Sequence, residues 1–191
     1  MYRHFFKRLM DLCGALLILP LLLPVLILVS VAIIINDFGN PIFKQERVGL
    51  NGKVFGLYKL RSMILQSRQK SLDYRTSAND VRITKVGHFI RKTSLDELPQ
   101  VLNVLFGHMS FVGPRPDVPK MEELYSPEDW KKRCSVKPGI TGFAQVTSRS
   151  MATPEERLSQ DLTYVEQLSL FNDIEILLKT VGKVLKFKGT N

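Results

Sequence analysis

The stretch that decides the architecture is "LCGALLILPLLLPVLILVSVAIII", residues Leu12 to Ile35, which holds no charged side chain. An apolar run beyond about 18 residues is long enough to enter a bilayer as a helix. Basic residues before it and "SVA" at Ser30–Ala32 imitate a secretory signal. The run is too long for that and continues past the would-be cut through Ile33, Ile34 and Ile35. Pro20 and Pro24 lie one turn apart, and each removes a backbone donor and crowds the preceding turn, so a helix break near residues 16–24 is expected. Arg3, Lys7 and Arg8 precede the run, and Lys44, Arg47, Lys53, Lys59 and Arg61 follow it. Basic residues at both ends place both on the cytoplasmic side. A re-entrant helix that enters and leaves by one leaflet meets both observations; a kinked single span remains the alternative.

The other 39–191 residues are expected to form one cytoplasmic domain, with 1–38 as the membrane helix. The chain has 191 residues and a formal net charge of +9, which fits one domain with a modest core and an anionic partner. Nucleic acid, an anionic membrane and a phosphorylated substrate all qualify. Cys13 and Cys134 have no CxxC spacing, and His4, His88 and His108 are scattered. Neither a disulfide framework nor a zinc site is expected.

Two β-prone runs around Asn51-Gly52 predict a small hairpin over 42–60. "MILQSRQKSLDYR" reads as an exposed helix, "SAND" as a turn, and Leu98, Val101, Leu102 and Leu105 predict a helix over 98–106. "GHMSFVGPRPDVPK" must be loop-rich. Thr153 followed by Pro154 predicts a helix start, running to about Leu168. Asn172 or Asp173 can cap the next helix, whose apolar face includes Ile174, Leu177, Leu178, Val181, Val184 and Leu185. Lys179 and Lys183, with Lys186 and Lys188 beyond, suit an anionic bilayer surface; an amphipathic core helix with solvated lysines is equally compatible.

"SLDELPQ", Ser94 to Gln100, sets two acids side by side in a basic chain. Ser94 and Glu97 have capping-box spacing, which would make them structural. Pro99 argues against a helix begun at Ser94, since it would fall where a donor is needed. A helix begun at Asp96 puts Pro99 in the first turn and Asp96 at the helix start, where phosphate is also favoured. Lys59, Arg61, Arg91, Lys92, Arg115 and Lys137 surround the pair in sequence. The prolines on either side of Arg115 lower the entropy lost when a guanidinium grips a phosphate. Gly139 and Gly142 permit close backbone approach.

These motifs occur together in a known family. The chain resembles the monotopic phosphoglycosyl transferases, bacterial sugar transferases that begin lipid-linked glycan assembly, over nearly its whole length. The resemblance rests on Lys7-Arg8, Pro24, "YKLRSM", "SLDELPQ", "MSFVGPRP", "KPGITG" followed by "AQV", and "DLTYV" at Asp161–Val165. It implies an α+β, mainly helical fold: a re-entrant membrane helix, a small β-hairpin, and a compact catalytic domain with interfacial amphipathic helices on the cytoplasmic face of the bacterial inner membrane. Asp96 matches the nucleophile that attacks the β-phosphate of a UDP-sugar, releases UMP and forms a phosphosugar-aspartate intermediate. Glu97 matches its acidic partner, associated with Mg²⁺. Lys59, Arg91, Arg115 and Arg149 match substrate-binding positions. Undecaprenyl phosphate would take the sugar phosphate, expected from small members to carry an N-acetylated amino sugar. Leu23 stands where many members have serine, and "QVTSRS" where many have "QVNGRN". Membrane lipids are expected partners, a homodimer is compatible with the sequence, and nucleic acid is not expected, since aromatic and basic residues are not interleaved.

The chemistry suits these residue types. An aspartate is ionised at neutral pH and needs no general base to act as nucleophile. What the site must overcome is repulsion between anions, which is why acids and bases should converge.

Overall fold

The computed structural model describes residues 2–65, 80–148 and 153–185. A π-helical turn, Tyr2–Phe6, leads into α1, Lys7–Asn36. Pro20 and Pro24, where a kink is expected, lie inside this helix, and the backbone is helical on both sides of them. Each of the two removes one backbone donor from the helix. One stripe of α1, at Ala15, Leu19, Leu22, Leu26, Val29 and Ile33, packs on the rest of the protein. That three-and-four spacing is one face of a helix. Leu17, Leu21, Leu28 and Ile35, on the other side, are more than 70% exposed.

Both ends of α1 are fastened to the same domain. At its start Lys7 pairs with Asp173, which also accepts from the Tyr2 and Tyr164 hydroxyls. Arg8 donates to the carbonyls of Val104 and Leu105 at 2.6 and 2.9 Å, and Asp11 accepts from Ser110 Oγ and the Phe111 amide. At its far end Asp37 meets Arg61 at 3.0 Å.

The predicted hairpin forms from β1, Ile42–Val48, and β2, Val54–Leu60, antiparallel with Val48 opposite Val54. Asn51 and Gly52 both take left-handed backbone, φ 56° and 76°, inside a longer connection than the two-residue turn their pairing suggests. Next come α2, Lys85–Lys92, a tight turn at Leu95–Glu97, and α3, Gln100–Leu105. Buried Asn103 extends the hairpin: its amide donates to Gly56 O at 2.8 Å and accepts from Tyr58 N at 3.0 Å. A side chain thus continues the ladder on the free edge of β2 and sets α3 against it.

Strand β3, Ser110–Val112, pairs parallel with β4, Gly139–Thr141. Helix α4, Pro127–Arg133, starts with Ser126 capping and Pro127 in the first turn. Short α5, Phe143–Thr147, follows β4. Helix α6, Pro154–Glu166, opens with the predicted Thr153 cap, closed into a capping box by Glu156. It ends two residues earlier than expected. Helix α7, Leu170–Leu185, begins at Ser169, whose hydroxyl accepts from Asn172 N; neither Asn172 nor Asp173 is the cap. Asp173 points inward to Lys7 instead. Ile176, outside the expected apolar face, is buried, while Ile174, Leu178 and Val181 of that face are exposed, so much of it looks outward. The reading of 63–75 as a helix and of "SAND" as a turn falls largely outside the described residues, as do Lys186 and Lys188.

The glycines of "KPGITG" serve packing. A Cβ on Gly139 would lie 2.1 Å from Gly113 N and 2.4 Å from Thr141 O, and one on Gly142 would lie 2.2 Å from Gly113 O. The close approach foreseen for Gly139 and Gly142 is to the protein's own backbone. Gly139→Ala should therefore destabilise the fold by about 3 kcal/mol, whereas Gly182→Ala, in α7 with nothing near, should be neutral or stabilise by roughly 0.5–1 kcal/mol. Thermal melts in detergent micelles test the pair.

Candidate active site

Lys59 is the penultimate residue of β2, and its ammonium reaches across to the turn at Leu95–Glu97. Nζ donates to Glu97 Oε1 at 2.9 Å and lies 3.6 Å from Asp96 Oδ2. Arg115, between its two prolines, donates from Nη2 to the same Glu97 oxygen at 2.6 Å. Four of the residues singled out in the sequence therefore meet at one place.

Backbone conformation explains how adjacent acids serve one site. Ser94 adopts φ 57°, ψ 18° and makes no side-chain cap bond, so the capping box that would have made Glu97 structural does not form. The left-handed residue turns the chain sharply enough to aim Asp96 and Glu97 at β2. Pro99 stands directly before α3, where its missing donor is not required.

The same surroundings push the two carboxyls apart. Burial raises the Asp96 pKa, and Glu97 adds to that; Lys59, Arg91 and Arg115 oppose it. Burial would also raise Glu97, but the charges of Arg115 and Lys59 and the hydrogen bonds they give outweigh it, holding the carboxyl at about 2. Neighbouring acids with diverging pKa values are a mark of a reactive site. Glu97 is the locked anion, and Asp96 the less satisfied one.

Arg91 is the penultimate residue of α2 and forms no ion pair with either acid among the described residues, though its charge bears on Asp96. Arg149 lies outside the described residues. Arg61, two positions from Lys59, serves the end of α1 instead. Lys137 is also elsewhere, with Arg8, Asp11 and Lys7 as its charged neighbours. Sequence reasoning missed a buried cluster behind Arg115. Arg133 pairs with Asp117 at 3.0 Å and Asp161 at 2.9 Å, and Arg157 pairs with Asp117 at 2.6 Å. The Ser126-Pro127 start of α4 was a usable signal, identical in kind to that at Thr153.

Among the described residues no three His, Cys, Asp or Glu side chains gather as a metal cluster. Mg²⁺ needs only one or two carboxylates when phosphate oxygens and water complete its shell. Glu97 with Asp96 beside it meets that requirement, so the donor set fits.

The bacterial sugar transferase family matches residues 2–187. The chain is 45% identical to the uncharacterized sugar transferase EpsL of Bacillus subtilis over 96% of its own length and 89% of that protein. It is 44% identical to the UDP-galactose-lipid carrier transferase of Erwinia amylovora, and 43% identical to the UDP-glucose:undecaprenyl-phosphate glucose-1-phosphate transferase of Escherichia coli. It covers 97% and 93% of itself in these two alignments, but spans only 42% and 39% of those longer relatives.

Because the Glu97 carboxyl is held below its ordinary value of 4.5, its contribution to stability is complete above about pH 4.5 and is lost as pH falls toward about 2. Arg115→Met should cost roughly 1 kcal/mol at neutral pH, allowing for solvent screening of the partly exposed guanidinium. The difference from wild type should shrink as pH falls through that window. Denaturant titrations at pH 7 and pH 3 measure it.

Proposed function

The chain belongs to the bacterial sugar transferase family, and from that premise we propose that it transfers a sugar 1-phosphate from a UDP-sugar to undecaprenyl phosphate, releasing UMP. What carries this is the Lys59–Glu97–Arg115 cluster with Asp96 beside it. It is a place where an anionic nucleophile stands among cations suited to a diphosphate.

An Asp96 carboxylate oxygen attacks the β-phosphorus. The new O–P bond forms as the bond to the UMP oxygen breaks, and the electron pair leaves with UMP. A phosphate oxygen of the lipid then attacks the same phosphorus and frees Asp96. Burial strips water from Asp96, and Lys59 favours its charged form. Arg115 and Lys59 face the charge that builds on the phosphate oxygens; Arg91 and Arg149 are assigned to the same substrate. Preorganised cations of this kind stabilise a phosphoryl transition state without reorganising. Glu97 would hold Mg²⁺, which when bound neutralises diphosphate charge.

The sugar is the finer question. Several of the relatives are named for glucose or galactose, which supports a UDP-hexose donor. The N-acetylated amino sugar expected from chain size has no such support.

For membrane placement we propose the re-entrant arrangement. A 30-residue helix is about 45 Å long, and Lys7, Arg8 and Asp11 at one end and Asp37 at the other bind the same domain. A straight span would have to carry parts of that domain to opposite sides of the bilayer. The exposed apolar residues Phe171, Leu178 and Val181 of α7, with Lys179 among them, support contact with the cytoplasmic surface of the inner membrane.

Detergent-purified protein with Mg²⁺, undecaprenyl phosphate and UDP-glucose, UDP-galactose or UDP-N-acetylglucosamine should release UMP from one donor. Asp96→Asn should reduce release to background. Labelled UMP should exchange into the UDP-sugar without lipid, as a covalent intermediate requires. Release without exchange would assign direct attack by the lipid, leaving Asp96 and Glu97 as metal ligands.

A further inference from the structure

The loop Pro114–Asp117 is held more completely than a surface loop needs. Its prolines fix two φ angles, which leaves the orientation of the peptide planes to be set. Four successive carbonyls each accept a bond from a different donor. Gly139 N binds Pro114 O at 2.9 Å, and Arg133 Nη2 binds Arg115 O at 2.6 Å. Arg47 Nη1 binds Pro116 O at 3.0 Å, and Val48 N binds Asp117 O at 2.8 Å. Three of the four donors lie at β-strand ends or at the start of β4. The fourth is a fully buried guanidinium in α4.

Arg133 is 4% exposed and engages all three of its nitrogens: Nη2 with Arg115 O, Nη1 with Asp117 Oδ2 and Nε with Asp161 Oδ2. Asp161 belongs to α6, and Asp117 is further held by Arg157 of α6 and by the Tyr125 hydroxyl at 2.9 Å. Among the described residues Arg133 forms no hydrogen bond or ion pair with Lys59, Asp96 or Glu97. Among the described residues its bonds reach the site through the peptide that carries Arg115.

We propose that Arg133 is a positioning residue for Arg115: oriented by Asp161, it fixes the Arg115 peptide so that the guanidinium arrives at Glu97 and at the substrate phosphate. This rests on the transferase function above. A planar fork can serve three acceptors in fixed directions, and a lysine ammonium on a flexible stem cannot. Displacing a catalytic cation by about 1 Å can cost on the order of 100-fold in rate.

Arg133→Lys in the full chain should lower kcat for UMP release by about 10- to 100-fold while KM for the UDP-sugar changes less. Placed in an Arg115→Ala background, the same substitution should cost less than about threefold, because the group it positions is gone. Equal losses in both backgrounds would overturn the proposal, since a residue that merely stabilises the fold acts independently of Arg115. A second readout needs no turnover: the rotationally hindered guanidinium ¹⁵Nη signals of Arg115, identified by their absence in Arg115→Ala. They should coalesce in folded Arg133→Lys; unchanged signals would overturn the proposal even if no UDP-sugar proved to be a donor, an outcome that would separately refute the transferase function. If Arg133→Lys does not fold, Asp161→Ala retains the Arg133 charge without the carboxylate that orients it. The same change of signals is expected there, and its absence would equally count against the proposal.

Discussion

One carboxylate oxygen, Glu97 Oε1, accepts from both Lys59 and Arg115, which lie 38 residues before it and 18 after it in the chain. Three segments with no local reason to meet are joined there: the end of a hairpin, a tight turn and a rigid loop. A half-buried carboxylate is costly unless its charge is answered, and two cations answer it so fully that its pKa falls instead of rising. Asp96, one residue away, shares these neighbours without comparable hydrogen bonds. The contrast separates a fully answered carboxylate from a less satisfied one.

The apolar helix is as much a part of the fold as of any membrane contact. Ala15, with Leu19 and Leu22, packs with Leu57, Val101, Val104 and Met109, and Ile33 with Leu60 and Ile90. Leu57 and Leu60 flank Lys59 in β2, so the strand that presents the cation to the acids is itself seated on α1. The Lys7–Asp173 pair ties the start of α1 to α7. Removing the helix would thus strip the strand that carries Lys59 of its support.

Much of this was legible locally. The hairpin at Asn51-Gly52 and the α6 start at Thr153-Pro154 depend on left-handed backbone and helix capping, which are properties of a few adjacent residues. The convergence of Lys59, Asp96, Glu97 and Arg115 was foreseen through family resemblance, not from spacing. Ser94 shows why spacing misleads: its distance from Glu97 suits a capping box, yet its left-handed backbone directs Glu97 to two distant cations. Asp173 is similar, fit to cap a helix but drawn inward by Lys7 and two tyrosines.

The sequence by itself determined the apolar helix, its basic flanks, the hairpin and the rigid Pro-Arg-Pro loop, because hydrophobic run length, charge and proline geometry act over short distances. Only the tertiary structure decided that Lys59 belongs to the acids while Arg61 belongs to α1, and that Gly139 accommodates Gly113. It also decided that Arg133 stands behind Arg115. The physical reason is burial: a charge removed from water must find a partner wherever packing brings one, and packing depends on the whole chain at once.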